Sequence, residues 1–292
     1  MRIDLHTHSD RSDGTESPTD LVRRAHAEGL DVLGLTDHDT MEGWDEAVTA
    51  AEEVGLSLVR GIEVSCTFGG YGVHLLAYLP DPGYGPLDHE LRRILDGRSS
   101  RLPATLARLR EVGIGIDVED VRRVAGATAA MGRPHIADAL VDLGVVVDRN
   151  QAFERYLGPR GPGYVHRYAA DLEDMIEAVT GAGGVSVIAH PWASRHDHRA
   201  LDAAGIARLQ RVGLAGLEVD HEDHDARTRA ELRALARDLG LVVTGSSDHH
   251  GAGKVDHDLG CNTTAPEELE RLLELAARSA VAADRAVPAV VR

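Results

Sequence analysis

Short apolar runs alternate with helical patterns in the first and last parts of this 292-residue chain. Such alternation is typical of βα units, whose strands form a largely parallel sheet covered by helices. The predicted strands are residues 2–6, 31–36, 56–64, 72–79, 185–189, 216–219 and 241–245. We therefore predict an α/β fold with about six or seven strands around a barrel, fewer than the eight of a complete TIM barrel.

The middle of the chain has a different pattern. Its segments LDHELRRILDGRSSRLPATLARLREVG, VEDVRRVAG, GRPHIADALVDLG and DRNQAFERYLG have helical spacing, and no convincing strand occurs among them. We predict that residues 1–86 and 168–292 form the barrel domain. Residues 87–167 are then an α-helical insertion that covers the active site.

The formal net charge of −17 argues against a long nucleic acid as partner. It does not argue against a small phosphorylated substrate, because bound cations can reverse the local field. No run approaches the roughly 18 apolar residues of a membrane span. The two cysteines, Cys66 and Cys261, form no C-x-x-C motif, which favours a reducing compartment. We predict a cytoplasmic protein without a membrane segment. The sequence makes no prediction of its oligomeric state.

Several of the sixteen histidines fall where a predicted strand ends, which is where a barrel of βα units places its active site. His6 and His8 are two residues apart on or just after the first strand, so both rings point to the same face. Asp248 and His250 repeat this spacing after the last predicted strand. Each pair therefore offers two ligands to a metal ion from one strand.

Further histidines and carboxylates lie at or near other predicted strand ends or in the loop after the first strand. The complete set of candidate metal ligands is His6, His8, Asp13, His38, Glu63, His74, His190, Asp248 and His250. These are more ligands than one ion can use. They suit two or three bridged divalent ions, for which Mn²⁺, Zn²⁺ and Fe²⁺ are all chemically acceptable.

The segments DLHTHSDRSDGT, GLTDHDT, GIEVS, VHLLAY, IAHP and GSSDHHG resemble the polymerase and histidinol phosphatase (PHP) family. The resemblance spans almost the whole chain. GRPHIADAL and the later GLEV segment are similar to the branch that contains nucleotide phosphatases and enzymes that degrade small RNA. The resemblance implies a distorted TIM-like (β/α)7 barrel with two or three metal ions.

The resemblance also implies a ligand set for each ion. The first ion would be held by His6, His8, Glu63 and Asp248. The second would share Glu63 and be completed by His74 and His190. The third would use Asp13, His38 and His250. Many family members have His in place of Asp13, so an anionic ligand there should change the metal preference or affinity of the third site.

Other residues are candidates for catalysis and phosphate binding. Cations lower the pKa of a bridging water, so that hydroxide forms near neutral pH and attacks phosphorus in line. Asp37, next to His38, is predicted to orient a ligand or the water. Arg133 and His135, at a helix start in the insertion, are predicted to bind phosphate. Residues that follow strand ends add weaker candidates, His221 for catalysis and Arg195 for substrate binding.

Other residues have no predicted role in the site. Those predicted to be surface residues are His166, His196, His198, His224, His249 and His257. Lys254, the only lysine, is predicted to be structural or incidental.

The sequence thus predicts a metal-dependent hydrolase that removes phosphate from a small nucleotide, either a nucleoside monophosphate or a bisphosphate. Alternatives with the same chemistry are a 5′–3′ exoribonuclease on short RNA, a cyclic phosphodiesterase and a histidinol phosphatase. A non-catalytic metal-binding module is the alternative from a different class.

Overall fold

A computed structural model describes residues 1–126, 128, 130–193, 201–287 and 289–290. Its strands are β1 (Ile3–Thr7), β2 (Val32–Leu35), β3 (Ser57–Phe68), β4 (Tyr71–Tyr78), β5 (Ala170–Asp171), β6 (Val185–Ile188), β7 (Gly216–Asp220) and β8 (Val242–Gly245). Seven of them follow the order β1-β2-β3-β4-β6-β7-β8, and β5 pairs with β3 outside this path. The backbone N–H of His8 donates to the carbonyl of His249 at 2.9 Å, which brings the two ends of the sheet together. The α/β barrel expected from the sequence is confirmed as a nearly closed, seven-stranded barrel.

The helices are α1 (Pro18–Ala27), α2 (Trp44–Val54), α3 (Gly85–Glu111), α4 (Val118–Ala125), α5 (Arg133–Asp142), α6 (Arg149–Ala152), α7 (Leu172–Gly181), α8 (Ala203–Val212), α9 (Ala226–Leu239) and α10 (Pro266–Ala282). Local sequence explains where several of these helices begin and end. Ser17 caps α1 by accepting the backbone N–H of Asp20, and Pro18 opens its first turn. Gly55 and Gly240, in the left-handed conformation, end α2 and α9.

Strand β4 is the main departure from a parallel barrel, because it is antiparallel to both β3 and β6. Only Gly69 and Gly70 connect β3 to β4, and both have positive φ. So short a connection can only make a hairpin, since parallel strands need a long crossover. The short strand β5 was not predicted from the sequence.

Apolar side chains form separate clusters in the barrel and in the insertion. The largest packs the strands against the surrounding helices and includes Leu87, Leu91 and Ile94 from the first half of α3. Leu106 and Leu109, from the second half of the same helix, belong to a cluster drawn from residues 106–157. Helix α3 therefore contributes to both clusters, and the predicted domain boundary at residue 87 lies within it. No described helix is long and apolar enough to span a bilayer.

Candidate metal centre

The candidate metal centre begins at the carboxyl end of β1. His6 lies in β1 and His8 directly follows the strand, and both side chains are completely buried. The two-residue spacing turns both rings to one side. Their Nε2 atoms lie 3.0 Å apart, a distance at which only one of the two nitrogens can be the donor.

Two carboxylates meet this pair of nitrogens. Glu63 Oε2 lies 3.3 Å from His6 Nε2 and 3.2 Å from His8 Nε2. Asp248 Oδ1 lies 3.4 Å and 3.3 Å from the same two nitrogens. Although this oxygen is buried, it has no hydrogen-bond partner. Two imidazole nitrogens and two carboxylate oxygens that converge in this way fit a divalent cation.

Glu63 also faces three further histidines. Its Oε1 lies 2.8 Å from His74 Nδ1 and 3.1 Å from His190 Nε2, while Oε2 lies 3.1 Å from His38 Nδ1. His38 Nδ1 and His74 Nδ1 are buried atoms without a hydrogen bond of acceptable geometry. The carboxylate thus faces ring nitrogens on both sides, as a ligand shared by two ions would.

A third group forms around Asp13, in the loop after β1. His250 Nε2 lies 3.3 Å from its Oδ1, and His38 Nε2 lies 3.7 Å from its Oδ2. His8 Nδ1 is 3.8 Å from Oδ1. The structure therefore brings together all three residues expected at the third ion, and it adds His8 to them. His38 faces Asp13 with one nitrogen and Glu63 with the other, so it lies between the second and third groups.

The carboxylates of this centre remain anionic although they are buried. Burial by itself raises the pKa of Glu63 and Asp13, but the facing histidines hold the pKa of each well below its ordinary value. For Asp248, the Lys254 ammonium and His6 do the same. Three ionised carboxylates within one buried group favour cation binding.

A second layer of residues positions these ligands. Glu218, which was not among the residues predicted from the sequence, is completely buried, and its Oε1 lies 3.0 Å from His6 Nδ1. Its Oε2 accepts the backbone N–H of His190 at 2.8 Å. A carboxylate on the second nitrogen of a ligand histidine fixes the tautomer and orientation of the ring.

Asp37 and His221, both predicted to be catalytic, lie in this same layer. Asp37 accepts hydrogen bonds from the hydroxyls of Ser9 and Ser12, both at 2.6 Å, and Ser12 Oγ lies 3.4 Å from His8 Nδ1. His221 is completely buried, and its Nε2 lies 3.3 Å from Asp248 Oδ2. These contacts favour positioning roles for both residues, and their roles in catalysis stay predictions.

Residues 248–257 contribute more contacts to the metal centre than we expected from the sequence. The Lys254 ammonium contacts Asp248 Oδ2, so the only lysine is not incidental to the site. His257, His249 and His224 are 5%, 2% and 3% exposed, and the prediction that they are surface residues is wrong. The only lysine of the sequence, six residues after the candidate ligand Asp248, was the available signal for this contact. For Glu218, the signal was an acidic residue in the middle of the apolar strand GLEVD.

The predicted phosphate-binding residues of the insertion lie outside the histidine groups. Arg133 Nη1 donates to the carbonyl of Leu157 at 3.1 Å. His135 is buried, and its Nδ1 accepts the backbone N–H of Gly132 at 3.1 Å. Arg195 lies outside the described residues. The insertion reaches the metal centre instead through Arg149, whose Nη1 donates to the carbonyl of Asp13 at 3.2 Å.

Residues 4–94 match the family model of the PHP domain. The chain is 37% identical, over 265 residues, to a 3′,5′-nucleoside bisphosphate phosphatase of Chromobacterium violaceum, an alignment covering 90% of this chain and 92% of the relative. It is 39% identical over 190 residues to a 5′-3′ exoribonuclease of Haemophilus influenzae, covering 65% of this chain and 69% of the relative.

The fold is similar to the crystal structure of a candidate metal-dependent phosphoesterase from Bifidobacterium adolescentis, with a TM-score of 0.90. That comparison covers 94% of this chain and 96% of the other at 36% identity. The similarity therefore extends over nearly the whole of both chains.

Proposed function

Because this chain belongs to the PHP family of metal-dependent phosphoesterases, we propose that it hydrolyses a phosphate ester of a small nucleotide. A nucleoside monophosphate or 3′,5′-bisphosphate is the first substrate class. The observation that carries this proposal is the convergence of His6, His8 and Asp248 on Glu63, with buried ligand atoms that have no other partner. The similarity to a nucleoside bisphosphate phosphatase supports the substrate class.

We propose that the centre binds two or three divalent ions, which are Mn²⁺, Zn²⁺ or Fe²⁺. His6, His8, Glu63 and Asp248 would hold the first, Glu63 with His74 and His190 the second, and Asp13 with His38 and His250 the third. Bound divalent ions supply a water of lowered pKa and neutralise charge on the phosphoryl oxygens. Imidazole and carboxylate ligands suit each of these metals, so the ligand set leaves the choice among them open.

The chain's own residues prepare this chemistry. Glu218 orients His6, His221 orients Asp248, and Ser12 connects Asp37 to His8. All of these groups are at most 3% exposed, so their hydrogen bonds are not weakened by competition with water. The ligands are held rigidly before the substrate arrives, which is the protein's main contribution to phosphoryl transfer.

A panel of phosphate esters tests the proposal. The purified protein is loaded separately with Mn²⁺, Zn²⁺ and Fe²⁺, and phosphate release is measured from AMP, 3′-AMP, adenosine 3′,5′-bisphosphate and histidinol phosphate. We expect release from at least one nucleotide and none after chelation. No release from any nucleotide with any metal would refute the nucleotide proposal. Release from histidinol phosphate alone would favour that alternative.

A 5′–3′ exoribonuclease is the second candidate, and the similarity to the Haemophilus influenzae enzyme favours it. The net charge of −17 favours small substrates over long polyanions. RNA of two to five nucleotides with a labelled 3′ end separates the two activities. A monophosphatase leaves the internucleotide bonds intact, whereas an exoribonuclease shortens the oligonucleotide from its 5′ end.

We further propose that the protein acts in the cytoplasm. Cys66 and Cys261 are both free, as the sequence suggested for a reducing compartment.

A further inference from the structure

Four arginines of the insertion lie together next to the metal centre, the last of them at the end of the insertion where the barrel resumes. We call them the arginine cluster: Arg98, Arg101, Arg133 and Arg167. Arg98 and Arg101 are only 5% and 7% exposed, which is unusual for arginine. The four side chains are close enough for their charges to interact. Burial lowers the pKa of Arg101 to about 8, and the charges of the other three contribute to this.

Arg98 connects this cluster to the metal centre. Its Nε donates to Asp39 Oδ2 at 2.7 Å and its Nη2 donates to Ser65 Oγ at 3.1 Å. Asp39 directly follows the candidate ligand His38, and Ser65 is two residues beyond Glu63 on β3. The arginine cluster therefore adjoins the ligands on the side that the insertion covers.

The start of helix α5 closes the cluster from the insertion side. Gly132, which caps this helix, comes so close to Arg98 that a Cβ on it would lie 2.8 Å from Arg98 Nη1. Arg133 is the first residue of the helix, so the positive end of the helix dipole adds to the guanidinium charges. Positive charge is therefore concentrated here, in contrast to the chain's net charge of −17.

The described residues do not balance this charge. Arg98 forms an ion pair with Asp39, but Arg133 and Arg167 donate only to the backbone carbonyls of Leu157 and Tyr168. Arg101 has no hydrogen bond and no ion pair in the described part of the chain. A buried charge without a partner destabilises a fold, so its presence points to an external anion.

We propose that the arginine cluster binds the second, non-reacting phosphate of a small bisphosphorylated nucleotide whose other phosphate reacts at the metal centre. This inference rests on the proposed function and specifies its substrate class. Guanidinium groups match the oxygens of a phosphate with paired N–H donors, and the phosphate dianion supplies the missing negative charge. Cation–π contacts of Arg133 with Phe153 and Tyr164 would hold one of the four side chains in place beforehand.

Binding to the metal-free protein tests the inference independently of catalysis. Calorimetric titration with adenosine 3′,5′-bisphosphate compares the wild type with Arg101→Met, which keeps length and removes charge. We expect Kd to rise about 10- to 100-fold, because one charge-assisted contact is lost. Arg122→Met is the matched control, since Arg122 is an exposed arginine of the same insertion, and its Kd should stay at the wild-type value.

Thermal unfolding separates anion binding from a structural role. Without phosphate, we expect Arg101→Met to melt at the wild-type Tm or above it, because an unbalanced buried charge is gone. With the bisphosphate, the wild type should gain more in Tm than the variant. A lower Tm for the variant in phosphate-free buffer, together with an unchanged Kd, would overturn the inference and make Arg101 a structural residue.

Turnover distinguishes failure of this inference from failure of the proposed function. In metal-loaded protein, Arg101→Met should lower the ratio of kcat/KM for the bisphosphate to kcat/KM for 3′-AMP by about 10-fold or more. An unchanged ratio would overturn the inference while leaving the phosphatase proposal intact. Wild-type protein that releases no phosphate from either nucleotide would instead refute the proposed function, and the Kd comparison would still decide the role of the arginine cluster.

Discussion

The rim of the barrel, where the candidate metal ligands lie, and the helical insertion both bury charged side chains. The charges of the two regions differ in sign and in how they are balanced. At the rim, three carboxylates face six histidines, so that each anion meets several ring nitrogens. In the insertion, only one of the four clustered arginines, Arg98, forms an ion pair among the described residues, and its partner is Asp39. The first arrangement suits cations, and the second suits a phosphate.

The two regions also differ in what holds their side chains. The rim ligands extend from strand ends and are fixed by buried hydrogen bonds, such as those of Glu218 and Asp37. Backbone strain accompanies them, since His190 and Asp248 have positive φ. Three of the four arginines lie instead in helices α3 and α5, which contribute to a separate hydrophobic cluster. Metal binding and substrate binding should therefore respond to different substitutions.

Replacing Asp248 with Asn should produce the largest effect and confine it to the rim. The change removes one negative charge next to His6 and His8 and leaves the Lys254 ammonium without its anion. We expect kcat to fall roughly 10³- to 10⁴-fold, with less metal bound per chain. Steady-state kinetics and elemental analysis measure the two quantities. Asp258→Asn, at an exposed position ten residues later, is the control, and equal losses in both variants would contradict the assignment of Asp248.

Replacing Glu218 with Gln should weaken metal binding at the rim less, because Glu218 contacts His6 and would not contact the metal itself. The amide keeps the size of the side chain but loses the charge that orients the ring. Metal affinity should fall about 10- to 100-fold, measured by competition with a metal-binding dye. Excess metal should restore most of the activity, as expected for a positioning residue. Glu274→Gln, on the exposed face of α10, should behave as wild type.

The two regions also differ in how easily they are predicted from the sequence. The H-x-H spacing of His6 and His8 and the strand-end positions of Glu63 and Asp248 are local patterns, so the sequence indicated the rim. His74 lies in the middle of an antiparallel strand, and its assignment to the second ion came from the resemblance to a family. The barrel was likewise predictable from periodicity, except for the antiparallel direction of β4.

Of the arginine cluster, the sequence indicated only Arg133, as a candidate for phosphate binding at a helix start. Arg98, Arg101 and Arg167 have no common spacing, and burial of an arginine depends on tertiary packing that periodicity does not reveal. Glu218 was missed for a related reason, since its role depends on contact with His6, 212 residues away in sequence. Positioning residues are determined by long-range geometry, whereas ligands at strand ends leave a local pattern.

Replacing Arg149 with Met should disturb the connection between the two regions. Arg149 pairs with Asp138 at 2.6 Å and 2.7 Å and also holds the carbonyl of Asp13. Without it, the loop that carries Asp13 is less restrained, and we expect affinity for a third ion to fall about tenfold while the first two ions stay bound. Metal titration followed by elemental analysis measures this. Arg123→Met, an exposed arginine of the insertion, is the control, and loss of all ions would show that the regions are not separable.

Replacing Leu140 with Ala should have the smallest effect on the metal centre while destabilising the insertion. Leu140 is completely buried in the cluster of residues 106–157, and a Leu→Ala change at such a site costs about 2–5 kcal/mol. Because the ligands extend from the barrel, metal content per folded chain should stay at the wild-type value, whereas KM for a nucleotide should rise. Leu143→Ala, at an exposed position after the same helix, controls for the substitution itself. If Leu140→Ala lost metal in proportion to its loss of stability, the insertion and the rim would form one cooperative unit, because metal binding would then require the packing of both.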